Sequence, residues 1–403
     1  MTRHIIEDAK RCIQCKTPLC SQGCPVRAPI KEAIALLLES KLLEAGKLLF
    51  ENNPLSLVCG HVCTQENQCE GHCVMGKKGT PVFISAIEQY ISDYYLNIYH
   101  PSPSRRTGGK TAIIGSGPAG ITIAFLLAEK DYDVTIFEGY DQIGGILRYG
   151  IPDFRLPRSV VDRLTEKLIE KGVRVRPNTI VGVNLTIDDL FRDGYRAVFM
   201  GTGTWRPRKL GVRGESLGHV HFAVEYMKNP AVYRLGRSVL IIGGGNVAMD
   251  VARTAFRHGS REVTIVCRRG ETSAREHDVQ YAKIDGALFE FGKTPVEIVD
   301  QGVIFADTGE DRRAVPGTEK LYPADSVIIA AGQGPRSIIA ASTKGLNLGE
   351  SGLVAVDGYG HTSREGVFAG GDVVTGAKTV IEAVVASKRI AQAMDEYMSG
   401  KFA

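Results

Sequence analysis

An α/β fold is predicted by three features of the sequence: two interlocked domains, each a parallel sheet wrapped by helices, behind an α-helical cysteine-rich module. Two apolar strands each run into a glycine-rich turn and a helix, one at residues 110–129 and one at 237–257. Further short apolar segments return at residues 197–203, 325–332 and 366–372, the rhythm of parallel strands with crossover helices. Of the nine cysteines, all but Cys267 fall between Cys12 and Cys73.

Length and composition bound the answer. A chain of 403 residues holds two or three domains. A net charge of +4 with no long basic run gives no nucleic-acid footprint. No apolar run reaches the ~18 residues of a membrane span. The opening MTRHIIEDAKRC lacks an apolar signal core, so the expected location is cytoplasmic. In that reducing compartment a cysteine cluster indicates metal rather than disulfides.

Residues 1–107 form the helical module. Its first group is Cys12-x2-Cys15-x4-Cys20-x3-Cys24-Pro25, and its second is Cys59-x3-Cys63-x5-Cys69-x3-Cys73. Helices are expected over residues 30–39, 42–51 and 84–95, the Leu and Ile stripe of the first two forming core. In ferredoxin-like runs the cysteine before proline serves a different cluster from the preceding three. Cys12, Cys15 and Cys20 then belong to one site and Cys24 to another, and the second group completes both. Two [4Fe–4S] clusters take eight ligands, and thiolate suits them. Structural zinc also takes four thiolates, but it favours repeated C-x2-C pairs, unlike these unequal spacings. Residues 100–109 have the composition of a linker.

The first nucleotide-binding, Rossmann-like unit occupies residues 108–210. Its strand at 111–114 leads into Gly115-Ser-Gly117-Pro118-Ala119-Gly120, and a second strand at 134–137 ends in Glu138. Gly115 permits the tight turn, Gly117 the approach of a pyrophosphate, and Gly120 close helix–strand packing. The helix N-terminus offers its unpaired N–H groups to the phosphates. A carboxylate at Glu138 suits a ribose, so this site takes FAD or NAD. The stretch Gly144-Gly145-Ile146, continuing through Arg155 to Pro157, is either a cofactor-approaching segment or a plain loop.

The second unit spans residues 211–332. Its strand at 237–242 leads into Gly243-Gly244-Gly245-Asn246-Val247-Ala248, a G-x-G-x-x-A junction, and its strand at 262–267 ends in Arg268-Arg269. Where the first unit ends in a carboxylate, this one offers guanidinium, which pairs a ribose 2′-phosphate and so favours NADPH. The alternative is a solvated basic strand end. Residues 333–403 return to the first domain through a strand ending in Gly371-Asp372 and a helix opening at Thr379-Val380.

With these motifs assembled, the chain resembles the small (β) subunit of NADPH-dependent glutamate synthase and the electron-input half of dihydropyrimidine dehydrogenase. The resemblance rests on the two cysteine groups, GSGPAG with Glu138, GGILRYGIPDFRLP, GGGNVAMD, AAGQGP and FAGGD. It implies one cluster on Cys12, Cys15, Cys20 and Cys73, and another on Cys24, Cys63, Cys69 and Glu88, with Gln89 the neighbouring candidate and Cys59 spare. It implies FAD contacts from Gly115, Gly117, Pro118, Ala119, Gly120, Glu138, Gly139, Gly144, Gly145, Ile146 and Arg155, with Gly371, Asp372, Thr379 and Val380 along the ribityl chain and ring. NADPH contacts fall at Gly244, Gly245, Asn246, Val247, Arg268, Arg269, Arg275 and Gly332. Residues 270–277 depart from the Met-Pro segment common in that family, on the nicotinamide side.

The implied activity is that of an NADPH-oxidising FAD/iron–sulfur subunit. It passes electrons to a larger catalytic partner, FMN-containing or similar, and no protein acid or base is required. Two rivals are a self-contained flavin reductase and a zinc-stapled binding module. The first of these, in its thioredoxin reductase form, needs a Cys-x-x-Cys beside the flavin, and the second unit has only Cys267. His61, His72, His277 and His361 carry no recognisable pairing and are expected to be structural or exposed.

Overall fold

The computed structural model describes residues 2–349 and 351–400. It divides into two compact units, one made of Met1–Arg148, Asp153–Thr204 and Pro335–Ala403, the other of Tyr149–Pro152 and Trp205–Gly334. The chain thus leaves the first unit after Thr204 and re-enters it at Pro335.

The first unit begins with short helices whose apolar residues recur at three- and four-residue spacing. Helix Ile30–Leu38 buries Ile30, Ala33, Ile34 and Leu37, and helix Leu42–Asn52 buries Ala45, Gly46, Leu49 and Phe50. Gly46 lets the second of these press against helix Ile84–Ile98, since a Cβ there would stand 2.3 Å from Tyr95 Cβ. Phe50 packs edge-on to Phe125 at 5.4 Å, with Tyr95 and Tyr99 at 5.6 and 4.9 Å. That aromatic group, with Lys388 Nζ donating to the Asn52 carbonyl at 2.7 Å, ties the helical module to the sheet domain behind it. The stretch 100–109, linker-like in composition, is held down: Ser104 N donates to Lys171 O at 2.8 Å, and Arg105 pairs with Asp131 at 2.6 Å.

The sheet of this unit is parallel, in the order Val367–Ala369, Tyr195–Met200, Lys110–Ile114, Asp133–Phe137, Arg174–Arg176. Its glycine-junction helix, Pro118–Glu129, is buried on nearly every side, as an all-apolar helix must be. It lies between the sheet and the long C-terminal helix Val380–Met398. That helix starts on a reciprocal capping box, Thr379 Oγ1 accepting from Glu382 N and Glu382 Oε2 accepting from Thr379 N at 3.0 Å. The strand expected over 366–372 is only Val367–Ala369, because Gly371 turns the chain at φ 73°. A short helix, Ile146–Tyr149, occupies the glycine-rich stretch after Glu138.

The second unit carries another parallel sheet, in the order Val220–Phe222, Ser326–Ile329, Ser238–Ile242, Glu262–Cys267, Leu288–Phe291. An antiparallel meander that the sequence reading left unassigned, Lys293–Val299, Gly302–Asp307 and Lys320–Pro323, packs on it through Ile298, Val303 and Phe305. Among the described residues no helix is long and apolar enough to cross a membrane.

Candidate cofactor and cluster sites

In the helical module the thiols divide into two groups, and among the described residues no cysteine is in a disulfide. Cys12, Cys15, Cys20 and Cys73 line one cavity. Its floor is Ile30, Ile34, Val82 and Ile84, all buried, while Ile13 at the mouth is 62% exposed. Burial pushes the Cys12 and Cys20 thiols up, and the neighbouring cysteines push them further.

The second group gathers where three helices meet. Cys24 ends helix Leu19–Gly23, Cys63 ends helix Ser56–Val62, and Glu88 lies on helix Ile84–Ile98. Burial raises Cys24 and Cys69, and each feels the Glu88 carboxylate; Cys63 is raised most by the hydrogen bond its thiol makes to Cys59, then by burial. Glu88 itself is pushed up to about 8 by burial, with Glu70 adding to it. Three thiols and a carboxyl that disfavour one another's ionisation are a donor set that a cationic centre would stabilise. Gln89, by contrast, commits its amide to the Gly60 carbonyl at 2.7 Å. Among the described residues no three His, Cys, Asp or Glu side chains converge tightly enough for a single ion. Thiols lining a cavity are a donor set that suits an iron–sulfur cluster.

In the first parallel sheet, Gly115 has φ 93°, and a Cβ there would stand 2.7 Å from Gly201 O; at Gly120 a Cβ would stand 2.0 Å from Gly115 O. At Gly117 a Cβ would meet nothing within 4 Å, so the space in front of the helix start is open. Gly117 caps the helix with no side-chain hydrogen bond, and Pro118 occupies its first turn. Glu138 is buried, and its carboxylate accepts from Ser116 N at 3.0 Å, from Ser116 Oγ, and from Tyr140 N at 2.9 Å. Ser116 Oγ also accepts from Gly144 N at 3.0 Å, which draws the Gly144–Gly145–Ile146 turn against the glycine junction. Ser116, an unspecified position of the motif, is therefore the hub that sequence reasoning missed. Gly371 approaches from the other side, where a Cβ would stand 3.1 Å from Ala119 Cβ. Asp372 follows it, its carboxyl pushed up to about 6 by burial while accepting from Lys378 N at 3.2 Å. Gly139 is exposed at the strand end and Arg155 is half-buried farther along.

The second unit repeats the junction. Gly243 has φ 141°, and a Cβ on Gly244 would stand 2.8 Å from Cys267 Sγ, so Cys267 is a buried packing residue beneath the turn. Gly245 caps helix Asn246–Arg257 with no side-chain bond, and Val247 is 43% exposed beside it. Arg268 and Arg269 follow the second strand and are exposed. Arg275 differs from them: its guanidinium pairs with Asp278 at 2.7 Å, both side chains nearly buried, and its N–H donates to Asn246 Oδ1 at 2.8 Å. Gly332 has φ 99° and its carbonyl accepts from Arg208 N at 3.0 Å. Of the histidines, His72 faces Gln68 O at 2.6 Å, His361 faces Asp357 at 2.9 Å, His277 packs edge-on to Tyr281, and burial lowers His61.

Residues 109–391 match the family model for pyridine nucleotide-disulphide oxidoreductases, and residues 1–98 match that for dihydropyrimidine dehydrogenase domain II, 4Fe–4S cluster. The chain is 34% identical to the glutamate synthase [NADPH] small chain of Halomonas elongata, covering 97% of this chain and 90% of that one. It is 35% identical to the NAD-dependent dihydropyrimidine dehydrogenase subunit PreT of Salmonella typhimurium, covering 98% and 94%. Among solved structures, T. acidophilum thioredoxin reductase superposes with a TM-score of 0.59 at 23% identity, over 73% of this chain and 98% of that one. Mycobacterium tuberculosis FprA in complex with NADPH gives 0.60 at 21%, over 73% and 85%. These two likenesses concern the fold.

Proposed function

The chain belongs to the pyridine nucleotide-disulphide oxidoreductase family, with a dihydropyrimidine dehydrogenase-type 4Fe–4S domain ahead of it, and on that premise we propose that it is an electron-input subunit. It is an NAD(P)H-dependent oxidoreductase. In this reading residues 211–332 take NADPH, residues 108–210 and 333–403 take FAD, and residues 1–107 hold two [4Fe–4S] clusters. The bound flavin would accept a hydride from the nicotinamide and release single electrons through the clusters to a larger, FMN-containing catalytic partner in the cytoplasm.

The observation that carries the reading is the sorting of eight donors into two groups. Cys12, Cys15, Cys20 and Cys73 share one cavity, and Cys24, Cys63, Cys69 and Glu88 influence one another in a second group. Both lie in the same compact unit as the Gly115–Gly120 junction. The protein's own contribution is positional. Open backbone at Gly117 and the uncapped helix start receive the pyrophosphate. Glu138, fixed by Ser116 and Tyr140, faces the ribose. Gly144, Gly145, Ile146 and Arg155 line one flank, and Gly139, Gly371, Asp372, Thr379 and Val380 the other. In the second unit Gly244, Gly245, Asn246, Val247 and Gly332 cradle the coenzyme phosphates, Arg268 and Arg269 take the 2′-phosphate, and Arg275 steadies Asn246. A single buried Cys267 supplies no dithiol, which disfavours a disulfide-reducing flavoenzyme.

The test is an anaerobic absorbance titration with NADPH, repeated with NADH. Flavin and iron–sulfur bands that both bleach, at lower concentration with NADPH, support the proposal. A flavin that bleaches alone in intact protein overturns the cluster assignment and favours a self-contained reductase.

A further inference from the structure

Helix Ile84–Ile98 serves both donor groups: Ile84 at its start lines the first cavity, and Glu88, one turn on, belongs to the second group. Its own sequence supplies no cap, because the N-cap residue is Phe83 and makes no side-chain hydrogen bond. The N–H groups of a first turn need partners from elsewhere. Here two are carboxylates from outside the helix. Phe83 N donates to Asp8 Oδ2 at 2.6 Å. Ser85 N donates to Glu70 Oε1 at 2.8 Å, and Ser85 Oγ donates to the same oxygen at 2.7 Å. Between them Ile84 N donates to Val82 O at 2.8 Å. Negative charge at this end also suits the helix dipole.

Glu70 is the better placed of the two carboxylates. It directly follows Cys69, and its carbonyl accepts from Cys73 N at 2.9 Å. Its turn is tight, since a Cβ on the next residue, Gly71, would stand 2.0 Å from Glu66 O. We propose that Glu70 is a positioning residue that fixes the start of this helix against the Cys69–Cys73 turn and so sets where Glu88 stands relative to the cysteines. The inference rests on the assignment of Cys69, Cys73 and Glu88 to iron–sulfur clusters made above. Glu70 itself is no ligand. Glu88 is the fifth residue of the helix, so its N–H bonds back to the first turn. A first turn released from its partner therefore carries Glu88 with it.

The test is iron and sulfide analysis, with EPR of the dithionite-reduced full chain, for Glu70→Ala, Glu70→Gln, Glu88→Ala and the Glu70→Ala/Glu88→Ala double variant. Glu70→Ala is expected to lose the EPR signal that Glu88→Ala loses and to keep the other. The double variant should retain as much iron as Glu88→Ala alone, because two changes acting through one contact do not add. Glu70→Gln keeps an oxygen to accept from Ser85 N and should restore the iron, an outcome that the loss of a charge would not give. Full iron with unaltered signals in Glu70→Ala overturns the proposal. Equal loss of both clusters overturns it too, since that marks general loosening of the module. Wild-type protein without iron–sulfur signals, or Glu88→Ala with both clusters intact, would instead defeat the assignments made above, so the two failures are distinguishable.

Discussion

The Ser116 N–H donates to Glu138 Oε2 at 3.0 Å, joining the first glycine junction to the end of the next parallel strand. The Ser116 hydroxyl adds a second bond to the same oxygen, and Tyr140 N takes the other oxygen at 2.9 Å. Glu138→Ala would orphan the buried Ser116 N–H at about 1–3 kcal/mol and free the half-buried Tyr140 N–H at less. The expected result is protein purified with little flavin and with a lowered melting temperature. Ser116→Ala keeps the backbone bond and loses the hydroxyl that also receives Gly144 N, so flavin content should fall less. Flavin-to-protein absorbance ratios decide it; full flavin in Glu138→Ala would remove Glu138 from the site.

The two donor groups predict separable losses. Cys73→Ala removes a proposed ligand from the cavity shared with Cys12, Cys15 and Cys20, and Glu88→Ala removes a proposed ligand of the other set. Each single variant is expected to halve the iron per chain and leave flavin in place, and the double variant to lose nearly all iron. Gln89→Leu breaks only the bond to Gly60 O. It should keep its full iron complement, so iron loss there would move the ligand from Glu88 to Gln89.

Asp372 gives a pH dependence with a defined sign. Burial lifts its carboxyl from 3.8 to about 6 in the folded chain. A group raised on folding contributes stability present below the unfolded value and lost as pH rises through the folded one. The flavin-free chain should therefore lose stability between about pH 4 and 6.5, by no more than about 3 kcal/mol at ~1.4 kcal/mol per pH unit. Asp372→Asn should flatten that part of the profile. Urea melts at pH 4.5 and 7 compare the two; parallel profiles would place Asp372 in contact with solvent.

The features legible in the sequence were those set by local backbone geometry. Gly115 and Gly120 are demanded by a positive φ and a 2.0 Å approach, so both junctions could be read from spacing alone. Ser116 was not legible, because its role depends on Glu138 and Gly144, which are distant in the chain. The meander over 293–323 escaped for a different reason. Pro295 interrupts its first strand, and the register shifts between Pro295 and Glu297, so the apolar alternation is broken where it would be read. Spacing separated Cys24 from Cys12, Cys15 and Cys20; Cys73 joined the latter three only through the family resemblance, and the fold brings it to their cavity. Arg275 stands in extended conformation at the N-cap of the helix Glu276–Ile284, so its pairing with Asp278 follows from where that helix starts and was not legible from spacing.

Coenzyme choice can be divided among the three arginines. Arg268 and Arg269 are exposed at the end of the second strand, beside the turn whose Gly244 covers Cys267. A guanidinium paired with a 2′-phosphate forms a charge-assisted bond of about 1.5–3 kcal/mol. Arg268→Ala is therefore expected to raise KM for NADPH about 10- to 100-fold, with KM for NADH nearly unchanged. Arg275 is held by Asp278 in a nearly buried pair and fixes Asn246 through its backbone. Breaking such a pair costs about 3–5 kcal/mol, because the remaining carboxylate stays buried. Arg275→Ala should accordingly lower the melting temperature and weaken both coenzymes alike, leaving their ratio nearly constant. Steady-state reduction of an artificial acceptor, with each coenzyme in turn, separates the two roles. A preference for NADPH that survives in Arg268→Ala and Arg269→Ala but collapses in Arg275→Ala would transfer 2′-phosphate recognition to Arg275, and the Asp278 pair would then have to open when the coenzyme binds.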